Sequence, residues 1–165
     1  MNIRTNFCRF IKGFGYAAKG LLYCVKNERN MRFHVGAGFY VLFFMRFFQL
    51  ETSEKALVYI AIALVIALEA VNTAVESTVN LICGEKKHPL AKLAKDAAAG
   101  GVLVAALCSV AVGFAVFWDM DGFKAVFDYF SQNIFMLILL AISVVLWILW
   151  VLTADNEKDK DNKHD

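Results

Sequence analysis

The chain has 165 residues, of which 59% are hydrophobic, 19% are charged and one is proline. A soluble domain carries about 45–50% apolar and about 25% charged residues, and a soluble core of this size has no room for fifteen phenylalanines, so an ordinary water-soluble fold is excluded. The net charge of +2 excludes a strong general attraction to nucleic acid.

Phe7, Phe10, Ile11, Phe14, Ala18 and Leu21 recur at helical spacing with Arg9, Lys12 and Lys19 among them. This predicts a basic amphipathic helix over about 5–24, lying in the membrane surface. It is not a signal peptide, because it has no continuous apolar core and no small-residue cleavage site. It reads either as an anchor or as the roof of a site at the cytoplasmic boundary. Runs of about 17–25 apolar residues then mark membrane spans. Four are predicted, over about 33–50, 56–82, 97–118 and 134–153, with Arg46 near enough to one end of the first to snorkel. Gly84 ends the second, and Pro89 opens the helix that leads into the third. Ala97 to Gly101 are small residues that let another backbone come close.

Charges in the connections set the orientation. Arg4, Arg9, Lys12, Lys19, Lys26, Arg29 and Arg32 precede the first span, and Lys86, Lys87, Lys92 and Lys95 separate the second from the third. Segments 51–55 and 119–133 have one lysine each, and the latter, with Asp119, Asp121 and Asp128, is predicted to be an acidic external loop. Both termini are therefore expected in the cytoplasm. The mixed-charge tail 154–165 reads as a disordered stub. Cys8, Cys24, Cys83 and Cys108 lack paired ligand spacing, and His34, His88 and His164 form no metal motif. His34 and His88 read as solvated or hydrogen-bonded side chains near the inner interface. No glycine-rich run ends in Gly-Lys-Ser/Thr, so a nucleotide would be held in another way.

The second span carries the chemistry. Glu69, Asn72, Thr73, Glu76 and Asn80 fall in one stripe at about 100° per residue. Glu69 and Glu76 are separated by about 10 Å along the axis. Ionisable groups at bilayer depth are costly and usually functional. One buried glutamate could pair with a cation or stay protonated and hydrogen-bonded. Two carboxylates and two amides in register, with no cation from 56 to 82, point to a site.

Three motifs in order bring a resemblance: Asn27-Glu28-Arg29-Asn30-Met31-Arg32, Glu69-Ala70-Val71-Asn72-Thr73-Ala74-Val75-Glu76, and Ala94-Lys95-Asp96-Ala97-Ala98-Ala99-Gly100. Over about residues 5 to 118 the chain closely resembles the prokaryotic membrane lipid kinases, the diacylglycerol kinase and undecaprenol kinase family. The resemblance implies an all-α integral membrane fold. It has an N-terminal surface helix and three spans per subunit, assembled as a homotrimeric bundle in the bacterial cytoplasmic membrane with its active site on the cytoplasmic side. Here a kinase domain at 1–118 would be followed by the acidic loop and an extra fourth span at 119–153.

The resemblance further implies phosphorylation of a membrane lipid alcohol by ATP with Mg2+. Glu69 would be the catalytic base, and Glu28 and Glu76 would hold the magnesium. The nucleotide would meet Tyr16, Glu28, Glu76, Asn80, Glu85, His88, Lys95 and Asp96. Arg9, Glu69 and Asn72 would shape the lipid site. A lipid hydroxyl lies at the depth of Glu69 while ATP stays in water, so the stripe bridges the two. Asn80 departs from the aspartate common in the family, and Lys86-Lys87 sit in a loop one residue longer than in some members. The Asn-Glu-Arg-Asn-Met-Arg-x-His form resembles the undecaprenol kinase branch, with diacylglycerol as the alternative substrate. A rival of another class is a small proton- or cation-coupled transporter, and a third is a catalytically dead assembly subunit.

Overall fold

A computed structural model describes residues 3–84, 86 and 88–154, and among these it contains helices and no strand. The helices are α1 (Ile3–Asn27), α2 (Arg29–Met45), α3 (Thr52–Cys83), α4 (Pro89–Phe117), α5 (Met120–Gln132) and α6 (Ile134–Leu152). Glu85 and the predicted tail beyond 154 lie outside the described residues.

α3 and α4 form the central pair. Lys95 bonds Asn80 near one end, and Ser109 reaches the Ala61 carbonyl at 3.3 Å further along, so the two helices run antiparallel. Val58 and Val65 of α3 and Val102, Ala105 and Val116 of α4 are buried. The turn between them follows the sequence expectation. Gly84 adopts φ 52°, a left-handed value that suits a residue without Cβ, and its N–H closes on the Asn80 carbonyl at 2.8 Å. Pro89 then takes the first turn of α4, where its missing N–H costs no helical bond.

α3, α4 and α6 are long and apolar enough to cross a membrane. The sequence predicts four spans, and the first of them is not among these three. α2 has 17 residues, about 26 Å at 1.5 Å per residue, which is the short limit for crossing. It stops at Met45 because the chain must turn within a few residues to enter α3. There Glu51 and Glu54 form a reciprocal capping box, with the Glu51 N–H on the Glu54 carboxylate at 2.8 Å.

The segment predicted as an acidic loop is mostly helix. Asp119 caps α5 by accepting from the N–H groups of Asp121 and Gly122 at 3.1 Å each. α5 buries Phe130, and Gly122 lies so close to the Phe48 ring that a Cβ there would overlap it. This end of the bundle holds an apolar cluster of Phe48, Leu50, Val58 and Val116. Beside it the Arg46 guanidinium stacks over Phe43, Phe47 and Tyr129 at 4.1–5.4 Å. The opposite end gathers the α1–α2 elbow, the end of α3, the start of α4 and the end of α6. α1 leaves Phe7, Phe10, Ile11 and Phe14 exposed.

Candidate active site

The polar stripe of α3 faces the interior of the bundle. Glu69, Asn72 and Thr73 are buried, Glu76 is half-buried and Asn80 is exposed, whereas Val71 on the other side of the helix is 54% exposed. Polarity and water access thus rise together along the last four turns of α3. The stripe meets the α1–α2 elbow of its own chain. Glu28 stands there at the N-cap of α2 in extended conformation (φ −108°, ψ 120°), and its carboxylate does not cap the helix.

Glu69 is 2% exposed. Asn30 is close enough to interact with its carboxylate, His34 Nε2 lies 3.6 Å from its Oε1, and the Glu28 and Glu76 carboxylates are near enough to act on it through charge. Asn30 and His34 are one helical turn apart and meet α3 together. Thr73 donates to the Glu69 carbonyl at 3.0 Å, inside the helix. Asn72 Nδ2 donates to Glu76 Oε1 at 3.0 Å, which leaves Asn72 Oδ1 buried without a partner among the described residues. Asn27 Oδ1, next to Glu28, is in the same condition. A buried acceptor is normally paired with protein, ligand or ordered water.

One turn beyond Glu76 a cleft of about 600 Å³ opens, lined in part by Asn80, Lys86, His88, Lys92 and Lys95. Lys95 Nζ donates to Asn80 Oδ1 at 2.6 Å. His88 is the N-cap of α4, its Nδ1 accepting from Leu90 N–H at 3.2 Å. The cleft is basic, and the cluster of Glu69, Glu28 and Glu76 is acidic. Asn80 and Glu76, four residues apart on one face, join them.

The other predicted site residues stand apart. Arg9 and Tyr16 lie on the exposed surface of α1, and among the described residues no hydrogen bond links either to the carboxylates. Asp96 is exposed on α4 and does not line the cleft. Sequence reasoning missed Asn30 and His34 as neighbours of Glu69. Their i, i+4 spacing within the Asn-Glu-Arg-Asn-Met-Arg-x-His motif was the available signal.

Among the described residues no three His, Cys, Asp or Glu side chains are grouped closely enough to hold a metal by themselves. The donor set still fits magnesium that arrives on phosphate. This ion takes one or two carboxylates, keeps several waters and completes its shell with phosphate oxygens. Glu28 and Glu76 supply carboxylates of that kind.

The family described as prokaryotic diacylglycerol kinase matches residues 15–117 of this sequence. The chain belongs to that family. It is therefore a lipid kinase. An undecaprenol kinase of Bacillus subtilis is 41% identical over 114 residues, covering 69% of this chain and 92% of that protein. A diacylglycerol kinase of Synechocystis is 43% identical over 100 residues, 61% of this chain and 57% of that protein. A diacylglycerol kinase of Escherichia coli is 30% identical over 121 residues, 73% of this chain and 98% of that protein. These relatives are named as kinases, and the transporter reading finds no support in them. The matched family region contains the acidic cluster and the basic cleft, and it ends where α4 ends, so α5 and α6 lie beyond it.

Proposed function

We propose that this family member transfers the γ-phosphoryl group of ATP to the hydroxyl of undecaprenol at the cytoplasmic face of the membrane, with Glu69 as general base. One observation carries the reading. A carboxylate buried among apolar helices opens, along one helix face, onto a half-buried carboxylate and then a lysine-lined cleft. A lipid alcohol suits the first environment, and a triphosphate suits the last.

Glu69 accepts the proton of the lipid hydroxyl. The resulting oxygen forms a bond to the γ-phosphorus while the bond from that phosphorus to the β,γ-bridging oxygen breaks. ADP leaves with the electron pair. Phosphoryl transfer is mainly alignment and charge neutralisation, so no soluble-kinase fold is required. Asn72 holds Glu76 through its Nδ2 and, on the same face of α3 as Glu69, helps shape the lipid site. Asn30 and His34 orient the Glu69 carboxylate. Lys95, with Lys86, Lys92 and His88 around the same cleft, faces the phosphates. Tyr16, Arg9, Asp96 and Glu85 are assigned to the nucleotide and lipid by the family resemblance. Glu28 and Glu76 would hold magnesium, which when bound neutralises phosphate charge. The homotrimer belongs to the same proposal, and it would cover the broad apolar surface that a single chain leaves exposed.

Undecaprenol is favoured by the Bacillus subtilis relative, which this chain matches over 92% of its length. The Synechocystis relative, at 43% identity, favours diacylglycerol. Purified protein in mixed micelles with labelled Mg-ATP and each lipid alcohol decides between them. Phosphate reaching undecaprenol at a kcat/KM above that for diacylglycerol is expected. The reverse order assigns the second substrate, and transfer to neither overturns the proposal. Glu69→Gln should abolish transfer and leave nucleotide binding in place.

A further inference from the structure

We infer that α6, the helix beyond the family-matched region, braces the α1–α2 elbow from behind and so positions Glu28 for the nucleotide. The inference rests on the proposed role of Glu28 in holding magnesium on the nucleotide.

Arg32 is the fastening point. It is 3% exposed, and its guanidinium joins two helix ends. Nε donates to the Val25 carbonyl at 3.0 Å and Nη2 to the Lys26 carbonyl, both in the last turn of α1. Nη1 donates to the Trp150 carbonyl at 2.6 Å and meets Thr153 Oγ1 at 3.2 Å, at the end of α6. Carbonyls in the last turn of a helix lack intrahelical donors and carry partial negative charge. A planar cation with five donors in a rigid fork answers both needs. Half of this arrangement depends on α6.

The contact continues along α2. Trp147 Nε1 donates to the Arg32 carbonyl at 3.3 Å, and the indole stacks on Phe33 at 5.4 Å. Gly36 has no side chain where Trp147 sits, and a Cβ there would overlap the indole. Tyr40 donates to Ser143 Oγ at 3.1 Å. Arg32, Gly36 and Tyr40 follow one another at four-residue intervals on one side of α2. Asn30 and His34 lie on the side that meets Glu69, about 200° away from Arg32 and Gly36 respectively. α2 is therefore held between α3 in front and α6 behind. Glu28 sits one turn before Arg32, its carbonyl accepting the Arg32 N–H at 3.1 Å. A shift at Arg32 must move Glu28.

The test uses the full chain in mixed micelles, with Trp147→Ala, Trp147→Phe and Gly36→Ala beside the wild type. Steady-state kinetics would be read against Mg-ATP and against lipid, together with amide hydrogen exchange over residues 25–33. Trp147→Ala is expected to raise KM for Mg-ATP roughly tenfold, the lower end of what losing an outer support costs a metal site. KM for lipid should stay within about twofold, inside the scatter of a substitution that touches no lipid-site residue. Exchange at 25–33 should quicken, and Trp147→Phe, which keeps the stack on Phe33, should recover most of the loss. Gly36→Ala, which pushes the indole away from the other side, should give the same nucleotide-selective rise. An unchanged KM for Mg-ATP in both Trp147→Ala and Gly36→Ala overturns the inference. So does a parallel loss toward both substrates that Trp147→Phe shares. Glu28→Gln is the control, because an unchanged KM for Mg-ATP there means that the proposed role of Glu28 has failed instead.

Discussion

Asn72 Nδ2 holds Glu76 Oε1 at 3.0 Å, one turn along the same helix. This bond orients the carboxylate assigned to magnesium, and it also turns the Asn72 carbonyl oxygen into a buried acceptor with no described partner. Under the proposed assignments, one amide therefore stands between the metal side of the site and the lipid side.

Asn72→Leu should damage both. Glu76 loses its orienting donor, and supports of that kind are worth about 10–100-fold in metal affinity or activity. The magnesium concentration for half-maximal rate should rise by about that factor, and kcat should fall as well because the amide that helps shape the lipid site beside Glu69 is gone. A magnesium titration at saturating ATP measures the first effect. Thermal stability should change little by comparison, since removing an unpaired buried oxygen offsets part of the lost bond.

His34 should separate orientation of the base from nucleotide binding. Its Nε2 is 3.6 Å from Glu69 Oε1, and it does not line the basic cleft. His34→Leu is expected to lower kcat roughly tenfold, less than the ~10²–10⁴-fold of a proton-transferring group because His34 only orients Glu69, with KM for Mg-ATP unchanged. His34→Gln, which can still donate, should keep more activity than the leucine variant. Equal activity of both variants with the wild type would remove His34 from the site.

Much of this arrangement was legible in the sequence, for identifiable reasons. The stripe Glu69–Asn80 stood out because carboxylates and amides inside an apolar helix are costly and rare, and helical periodicity alone put them on one face. Gly84 and Pro89 marked the α3–α4 turn because each has a backbone preference that other residues lack. α5 was not legible. Asp119, Asp121 and Asp128 suggested a loop, while Phe123, Val126, Phe127 and Phe130 at helical spacing carried the correct signal. The back face of α2 was hidden for a different reason. Nothing local shows that Arg32 reaches the end of α6, 118 residues later to Trp150, since that is a property of packing. The same holds for His34 and Glu69, whose meeting depends on how α2 lies against α3.

Lys95→Ala should act on the nucleotide alone. Lys95 lines the basic cleft and is held by Asn80 Oδ1 at 2.6 Å. Losing a cation that pairs with phosphate in a partly exposed site costs on the order of 1.5–3 kcal/mol, or about 10–100-fold in KM for Mg-ATP. The lipid KM should not move. Asn80→Ala frees the lysine without removing its charge, and the effect should be several-fold smaller. A larger effect from Asn80→Ala than from Lys95→Ala would show that the amide, and not the ammonium, touches the nucleotide.

Gly122→Val probes the end of the bundle farthest from the carboxylates. The glycine faces the ring of Phe48, which belongs to the apolar cluster with Leu50, Val58 and Val116. A branched side chain cannot enter without displacing that ring, and overpacking of this kind costs about 1–3 kcal/mol. The apparent melting temperature in detergent should fall. Phe48 packs on Phe117, the last residue of α4, and on Phe123, near the start of α5, away from the Glu69, Glu28 and Glu76 cluster. KM for Mg-ATP and the magnesium requirement should therefore stay at wild-type values at temperatures below the transition. Loss of nucleotide affinity in a variant that remains folded would mean that the two ends of the bundle are coupled through α3, and the division into a structural end and a reactive end would have to be abandoned.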